Sequence, residues 1–501
     1  MSLEVVLLVG AAIILTAVMV AKLGDRIGLP ALLLFLGLGI VLQVTTPQLN
    51  LTDAGLAHDL GFAALVLILA EGGLSTNWDE IKPAILPAVL LASGGVILGI
   101  VLMGLFGWAA LGLPLAVAVL LGAVMAPTDS AAVFSVLRHV PLPPKIRSIL
   151  EGESGLNDAP SVLLAIAATN LAMGRTEIDL GLVWTGLIII AELIGGIAVG
   201  AGLGWLGVRL LRGLALPASG LYPLASLGWA VLAYGLGGLV HVSGFAAVYV
   251  CAVVLGNGKL PHRHATRSFA EGIGWIAQIG LFVMLGLLSD VSRITGRDVV
   301  VAVVAGLFLT FVVRPITVWV CTAGVGLGNR EKIFLSWGGL RGAVPIILAT
   351  IPMAAGLRGS DSIFDLVFVA VIVLTVLNGP TLPWLARKLG LAGEGEADQL
   401  DIEVAPLDRS EAVLVQVEVP SQSKLHGVAV SELRLPSNVS VSLIIRGDRM
   451  FAPHDRDLIR TGDDLLIVTP AALRSKVERR IQLIGRAGRL ATWTELGRRR
   501  A

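Results

Sequence analysis

Thirteen apolar runs, most of them roughly twenty residues long, follow one another from residue 3 to residue 385. A run of that length lets an α-helix cross about 30 Å of hydrocarbon. In lipid, only helices and closed barrels keep every backbone group paired. The chain is therefore read as an all-α polytopic membrane protein. The run cores lie at 3–21, 30–44, 58–75, 84–111, 115–138, 149–172, 181–208, 221–240, 243–257, 270–289, 298–323, 331–355 and 361–385. The second and ninth are short for a crossing helix. Only 15% of the 501 residues are charged, against about 25% in soluble domains, and sixty glycines suit close helix approach. Glu4, with no basic segment, precedes the first apolar stretch, so that stretch is expected to be a span and not a cleaved signal peptide.

Loop charge sets the expected orientation. Loops after odd-numbered spans hold fifteen Lys and Arg residues, from Lys22 to Lys388. The other loops hold four: Arg175, Arg293, Arg297 and Arg358. The asymmetry puts the odd-numbered loops and the C-terminus in the cytoplasm and the N-terminus outside. The net charge of +1 suggests no nucleic-acid partner. Cys251 and Cys321 lie in apolar runs without metal-ligating company, so neither a disulfide framework nor a transition-metal site is expected.

The membrane domain is assigned to residues 1–390. A polar, acidic stretch over 391–408 reads as a linker. From 409 to 472 apolar and polar residues alternate in "AVLVQVEV", "VSVSLIIRG" and "DLLIVTP", which predicts short strands in a small α+β cytoplasmic domain. Residues 473–501 read as a basic tail.

Ionisable residues inside spans are costly and mark function. Glu71 ends the third span. Thr128 and Asp129 follow Pro127 in the middle of the fifth, and Pro127 breaks the helix there. Broken backbone is tolerated in a membrane only where it lines a cavity or is buried in protein. The twelfth span has a matching interruption, "SWGGLRGAVPII", with Arg341 at its centre. Paired interruptions in the two halves of a transporter mark its binding site. In the sixth span, "EGESGLNDAPS" puts Ser154 and Asp158 on one helix face. Glu153 and Asn157 form the neighbouring stripe, and Glu151 lies one turn outside. Oxygen ligands alone suit a hard cation such as Na⁺ or K⁺. A dehydrated carboxylate beside another binds a proton or a cation, each displacing the other, and that competition gives antiport without ATP. No phosphate-binding loop is present. Arg314 is expected to pair internally with Asp365 or Glu192.

At four stretches, "LAEGGL", "PTD", "EGESGLND" and "GGLRGA", residues 1–390 resemble the NhaP-type monovalent cation:proton antiporters. The resemblance implies thirteen helices in two inverted repeats with helices 5 and 12 broken, and a homodimer. It implies a monovalent cation held at Asp129, Ser154 and Asp158, with Thr128 contributing backbone and Glu71 acting through water or as a cap. It implies that Asn157 positions Thr128 or Asp158 and that Glu153 pairs with Arg341. Asparagine before Asp158 is similar to the electroneutral branch. The tail stretch resembles the RCK (TrkA-C) regulatory domain and leaves room for a small-molecule ligand. Such tails accompany potassium/proton antiporters that serve pH, cation and cell-volume homeostasis. No enzyme activity and no cofactor beyond the transported ions are expected. A ligand-gated cation channel is the main alternative. An intramembrane aspartyl protease built on Asp129 and Asp158 leaves Ser154, Asn157 and Arg341 unexplained.

Overall fold

The computed structural model describes residues 2–27, 30–46, 53–137, 140, 142–175, 180–214, 216–258, 260–391, 401–406, 412–420, 423–447, 449–470 and 473–488. They fall into two compact units, Met1–Ala392 and Gly393–Ala501.

Among the described residues of the first unit, each of the thirteen expected spans carries helix. Seven helices are long and apolar enough to cross a membrane by themselves. Ala31–Thr45 and Gly244–Asn257, the second and ninth spans, stay short at 15 and 14 residues. At 1.5 Å per residue such helices reach about 22 Å, less than the hydrocarbon thickness. Tight packing holds the ninth in place. Gly200 of the seventh span, Leu180–Gly213, lies so close to Ala247 that a Cβ would overlap its backbone.

The spans sort into two bundles. In one, the second, third, ninth and tenth pack on one another, with the seventh and eighth against the ninth and the first against the second. In the other, the fourth, fifth and sixth pack together with the eleventh, twelfth and thirteenth. The second bundle repeats one design twice. Its fourth and eleventh spans, Trp78–Ala109 and Gly296–Cys321, each contain a π-turn, at Leu91–Gly95 and Leu309–Val313. Its fifth and twelfth spans are interrupted. Its sixth and thirteenth, Pro144–Ala172 and Ser360–Lys388, are 29-residue helices with interior prolines. Matching spans stand seven apart. Seven is odd, so they cross in opposite directions and the repeats are inverted.

In the second unit a five-stranded antiparallel sheet runs in the order β1-β2-β5-β3-β4. The strands are β1 Asp401–Pro406, β2 Ala412–Glu418, β3 Ser440–Arg446, β4 Arg449–Phe451 and β5 Asp463–Pro470. Alternation along β2 and β5 turns Val415, Val417, Leu465 and Ile467 into the core. Val477, Ile481 and Ile484 of the helix Arg474–Ala487 pack onto them, at the spacing of one helix face. The expected linker over 391–408 therefore includes a strand. "DIEVAP" has the period of a strand and pairs with β2, so acidity alone was a poor guide. The rest of that linker and the tail beyond residue 488 lie outside the described residues.

Asp463 is fully buried. It accepts hydrogen bonds of 2.7 Å each from Arg446 Nε and Nη2, and another of 2.7 Å from the Arg460 N–H. Its hydrogen bonds hold the Arg446 guanidinium above the usual arginine pKa. Arg446→Ala would strand a buried carboxylate. It is expected to lower the unfolding free energy of this domain by about 3 kcal/mol, read as a lower denaturant midpoint by circular dichroism.

Candidate functional site

Pro127 has no N–H to continue the fifth helix. Helix Leu115–Met125 stops, residues 126–129 run without helical bonding, and helix Ser130–Leu137 follows. In the twelfth span helix Asn329–Trp337 ends at Gly338, and helix resumes at Ala343–Leu348. The two interruptions cross and satisfy one another. The Asp129 N–H donates to the Leu340 carbonyl at 2.9 Å. Arg341 Nε donates to the Met125 carbonyl at 3.1 Å, and its Nη1 to Gly339 O at 2.8 Å. Arg341 thus sets a positive charge on the carbonyl end of a half-helix, where the helix dipole favours it. Asp129 sits at the start of the following half-helix and accepts from the Ala132 N–H at 3.3 Å. Thr375 Oγ1 donates to Arg341 O at 2.9 Å and ties the second break to the thirteenth span.

The sixth span supplies the rest. Ser154 Oγ donates to the Thr128 carbonyl, and Asn157 Nδ2 to Thr128 Oγ1, both at 2.9 Å. Thr128 Oγ1 lies 3.4 Å from Glu153 Oε1. Thr128, Glu153, Ser154, Asn157, Asp158 and Arg341 are all buried. Asp158 and Asp129 lie within each other's electrostatic reach. Asn157 Oδ1, Asp158 Oδ1 and Ser161 Oγ are buried without a hydrogen-bond partner. Pro160, inside the same helix, removes the donor that would pair the Leu156 carbonyl. Because the helix already starts at Pro144, Pro160 falls in its middle and not in its first turns. Oxygen atoms that lack donors, beside a freed carbonyl, form a set suited to a cation or a proton.

The structure corrects the expected ion pairs. Glu153 takes Arg314, not Arg341: Arg314 Nη1 and Nη2 reach its two oxygens at 2.5 and 2.8 Å. Arg314 therefore pairs with neither Asp365 nor Glu192. The π-turn Leu309–Val313 inserts one residue just before Arg314. Such an insertion rotates everything after it by about 100°, a shift that helical periodicity does not reveal. Arg341 remains within electrostatic reach of Glu153, but its hydrogen bonds go to carbonyls. Asp365 lies instead among Arg293, Asp361, Asp290 and Asp298.

Glu71 stands apart from the crossed breaks. It accepts from Ser75 Oγ at 3.1 Å, and its charged neighbours are Glu271 and Glu151. Glu151 lies at the edge of this group, with Arg147 and Glu80 as its own charged neighbours. Three contributors escaped the sequence reading. Ser161, one turn past Asp158, carried a visible helical signal. Tyr249 of the ninth span carried none; it packs against Gly155 and lies in the field of Glu151 and Asp158. Thr375 likewise gave no cue.

Crossed half-helices at the centre of paired inverted repeats define the core of a secondary transporter. Residues 11–388 match the family described as sodium/hydrogen exchanger, transmembrane, and residues 414–482 match the TrkA-C domain. The chain belongs to the sodium/hydrogen exchanger family. It is 31% identical to the K(+)/H(+) antiporter NhaP2 of Shewanella baltica, over 92% of this chain and 80% of that one. It is 32% identical to the K(+)/H(+) antiporter NhaP of Alkalimonas amylolytica, over 94% and 82%. The Na(+)/H(+) antiporter NhaH of Halobacillus dabanensis is 29% identical over 65% of this chain and 82% of its own. The fold matches the sodium proton antiporter MjNhaP1 of Methanocaldococcus jannaschii with a TM-score of 0.64 and 22% identity, covering 76% of this chain and 100% of that one.

Two outcomes test this geometry. Arg314→Gln leaves Glu153 buried and unpaired, a loss of about 3–5 kcal/mol; the double variant Glu153→Gln/Arg314→Gln should recover much of it, read as thermal stability in detergent. Gly342→Ala should leave expression intact but abolish transport in vesicles, since its Cβ would occupy the position of the Asp129 carboxylate.

Proposed function

We propose that the protein exchanges a monovalent cation for protons by alternating access, with Asp158, Asp129, Ser154 and the Thr128 backbone as its binding site. The observation that carries this reading is the set of buried, donorless oxygens of Asp158, Asn157 and Ser161 beside the crossed breaks. Asp158 holds either the cation or a proton. Binding either one removes the charge of Asp158 and its repulsion with Asp129, leaves the same net charge in both cases, and lets the loaded site cross a low-dielectric barrier more easily than the empty, doubly charged one. Asn157 and Ser154 hold Thr128 in register. Glu153 and Arg314 fix the sixth span to the eleventh, while Arg341 ties the two breaks together. Glu71 and Glu151 form an acidic mouth that draws cations toward the site.

K⁺ is the favoured cation. Two relatives named for K⁺ align over more than nine-tenths of the chain, whereas NhaH, named for Na⁺, aligns over 65% and MjNhaP1, named for sodium, over 76%. Asparagine at 157 supports electroneutral exchange. The proposal places the chain as a homodimer in a bacterial inner membrane, N-terminus periplasmic and tail domain cytoplasmic. There the tail domain would adjust K⁺ and pH homeostasis, and with it cell volume, in response to a small ligand. The cycle has no enzymatic step and needs no cofactor.

The test uses proteoliposomes that hold a pH gradient and a pH dye, with the membrane potential clamped. Adding K⁺ should dissipate the gradient, more effectively than Na⁺, and Asp158→Asn should abolish the response. An Asp158→Asn variant as active as the parent would remove Asp158 from the mechanism. Cation flux without proton movement would show a channel.

A further inference from the structure

A groove of about 320 Å³ lies between the eleventh, twelfth and thirteenth spans. Its walls are Phe311, Trp319, Ile333, Trp337, Trp384 and Leu385. Phe311 and Trp384 are more than half exposed. On its floor lie two buried hydroxyls, Thr310 and Ser336. The groove is a shaped feature, since Trp337 Nε1 donates to Thr381 Oγ1 at 2.8 Å and fixes the central indole.

One end of the groove is basic. Lys332 Nζ sits 5.2 Å above the Trp319 ring, and Lys388 Nζ 4.7 Å above the Trp384 ring. Arg330 approaches the end of the thirteenth span at Gly390. Lys332 is only 9% exposed, yet no carboxylate lies within salt-bridge distance of Lys332, Lys388 or Arg330 among the described residues. Ammonium groups held over indole rings, with no carboxylate beside them, favour an anion. An apolar slot flanked by tryptophans needs hydrocarbon, and tryptophan sits by preference at the membrane–water boundary. The two requirements meet at one place.

We propose that this groove binds an anionic phospholipid, with its phosphate between Lys332 and Lys388 and one acyl chain along the tryptophans. On the orientation proposed above, the lipid comes from the cytoplasmic leaflet. The bound chain would lie directly behind the machinery of the break. Thr310 belongs to the π-turn of the eleventh span, and Trp337 ends the half-helix before the twelfth-span interruption. Thr310 and Ser336 also border a single-water cavity of about 10 Å³ that touches Arg314, Gly339, Arg341 and Asn378. Filling the groove therefore braces the wall that carries Arg314 and Arg341.

The full chain, purified in detergent, is titrated with phosphatidylglycerol or phosphatidylcholine, and bound lipid is counted by native mass spectrometry. Phosphatidylglycerol should be retained over phosphatidylcholine and should raise the thermal midpoint. Lys332→Gln/Lys388→Gln should weaken phosphatidylglycerol binding roughly 10- to 30-fold, from about 1 kcal/mol per lysine. Ile333→Trp, which fills the groove from its exposed wall and leaves both lysines in place, should lower lipid retention as well. Equal retention of the two lipids, or unchanged phosphatidylglycerol binding in either variant, overturns the proposal.

Discussion

A peptide N–H or C=O that loses its helix partner inside a bilayer has no water to turn to, and each such group costs several kcal/mol. Two helices of this protein break there, and the rest of the transport bundle is arranged around that cost. The breaks cross so that each supplies what the other lacks. Asp129 gives its N–H to Leu340, and Arg341 gives its guanidinium to Met125 and Gly339. Thr375 takes up the Arg341 carbonyl from outside. A backbone constraint thus fixes which side chains must meet, and the carboxylates of Asp129 and Asp158 are brought together as a result.

The sixth span is the hub of this arrangement because consecutive stripes of one helix serve different partners. Ser154 and Asn157 hold the fifth-span break. Glu153, between them in sequence, turns away to Arg314. Asp158 keeps an oxygen without any donor. The positive charges are divided in the same way. Arg314 neutralises a carboxylate and Arg341 compensates carbonyl dipoles, so neither cancels the charge of the Asp129–Asp158 pair.

The sequence made the span count and the two breaks legible, because length in hydrocarbon and Pro127 act locally. Ser154 and Asp158 were legible because a shared face follows from helical spacing alone. The partner of Glu153 was not. Choosing between Arg314 and Arg341 depended on an extra residue in a π-turn, marked in the sequence only by Pro315, whose missing N–H leaves the Phe311 carbonyl free. Tyr249 was hidden because its role comes from a helix packed across from the sixth, which single-helix periodicity does not report. The strand at Asp401–Pro406 was masked by its acidic neighbours, although its alternation was present in the letters.

The fourth and eleventh spans carry their π-turns at one matching position. Each begins thirteen residues into its helix, from Trp78 to Leu91 and from Gly296 to Leu309. The two segments share no obvious wording, "LASGG" against "LTFVV", yet the irregularity sits at the same depth in both. The irregularity therefore belongs to the repeated arrangement of three spans and not to any shared residues, and in the second copy it is what turns Arg314 toward Glu153.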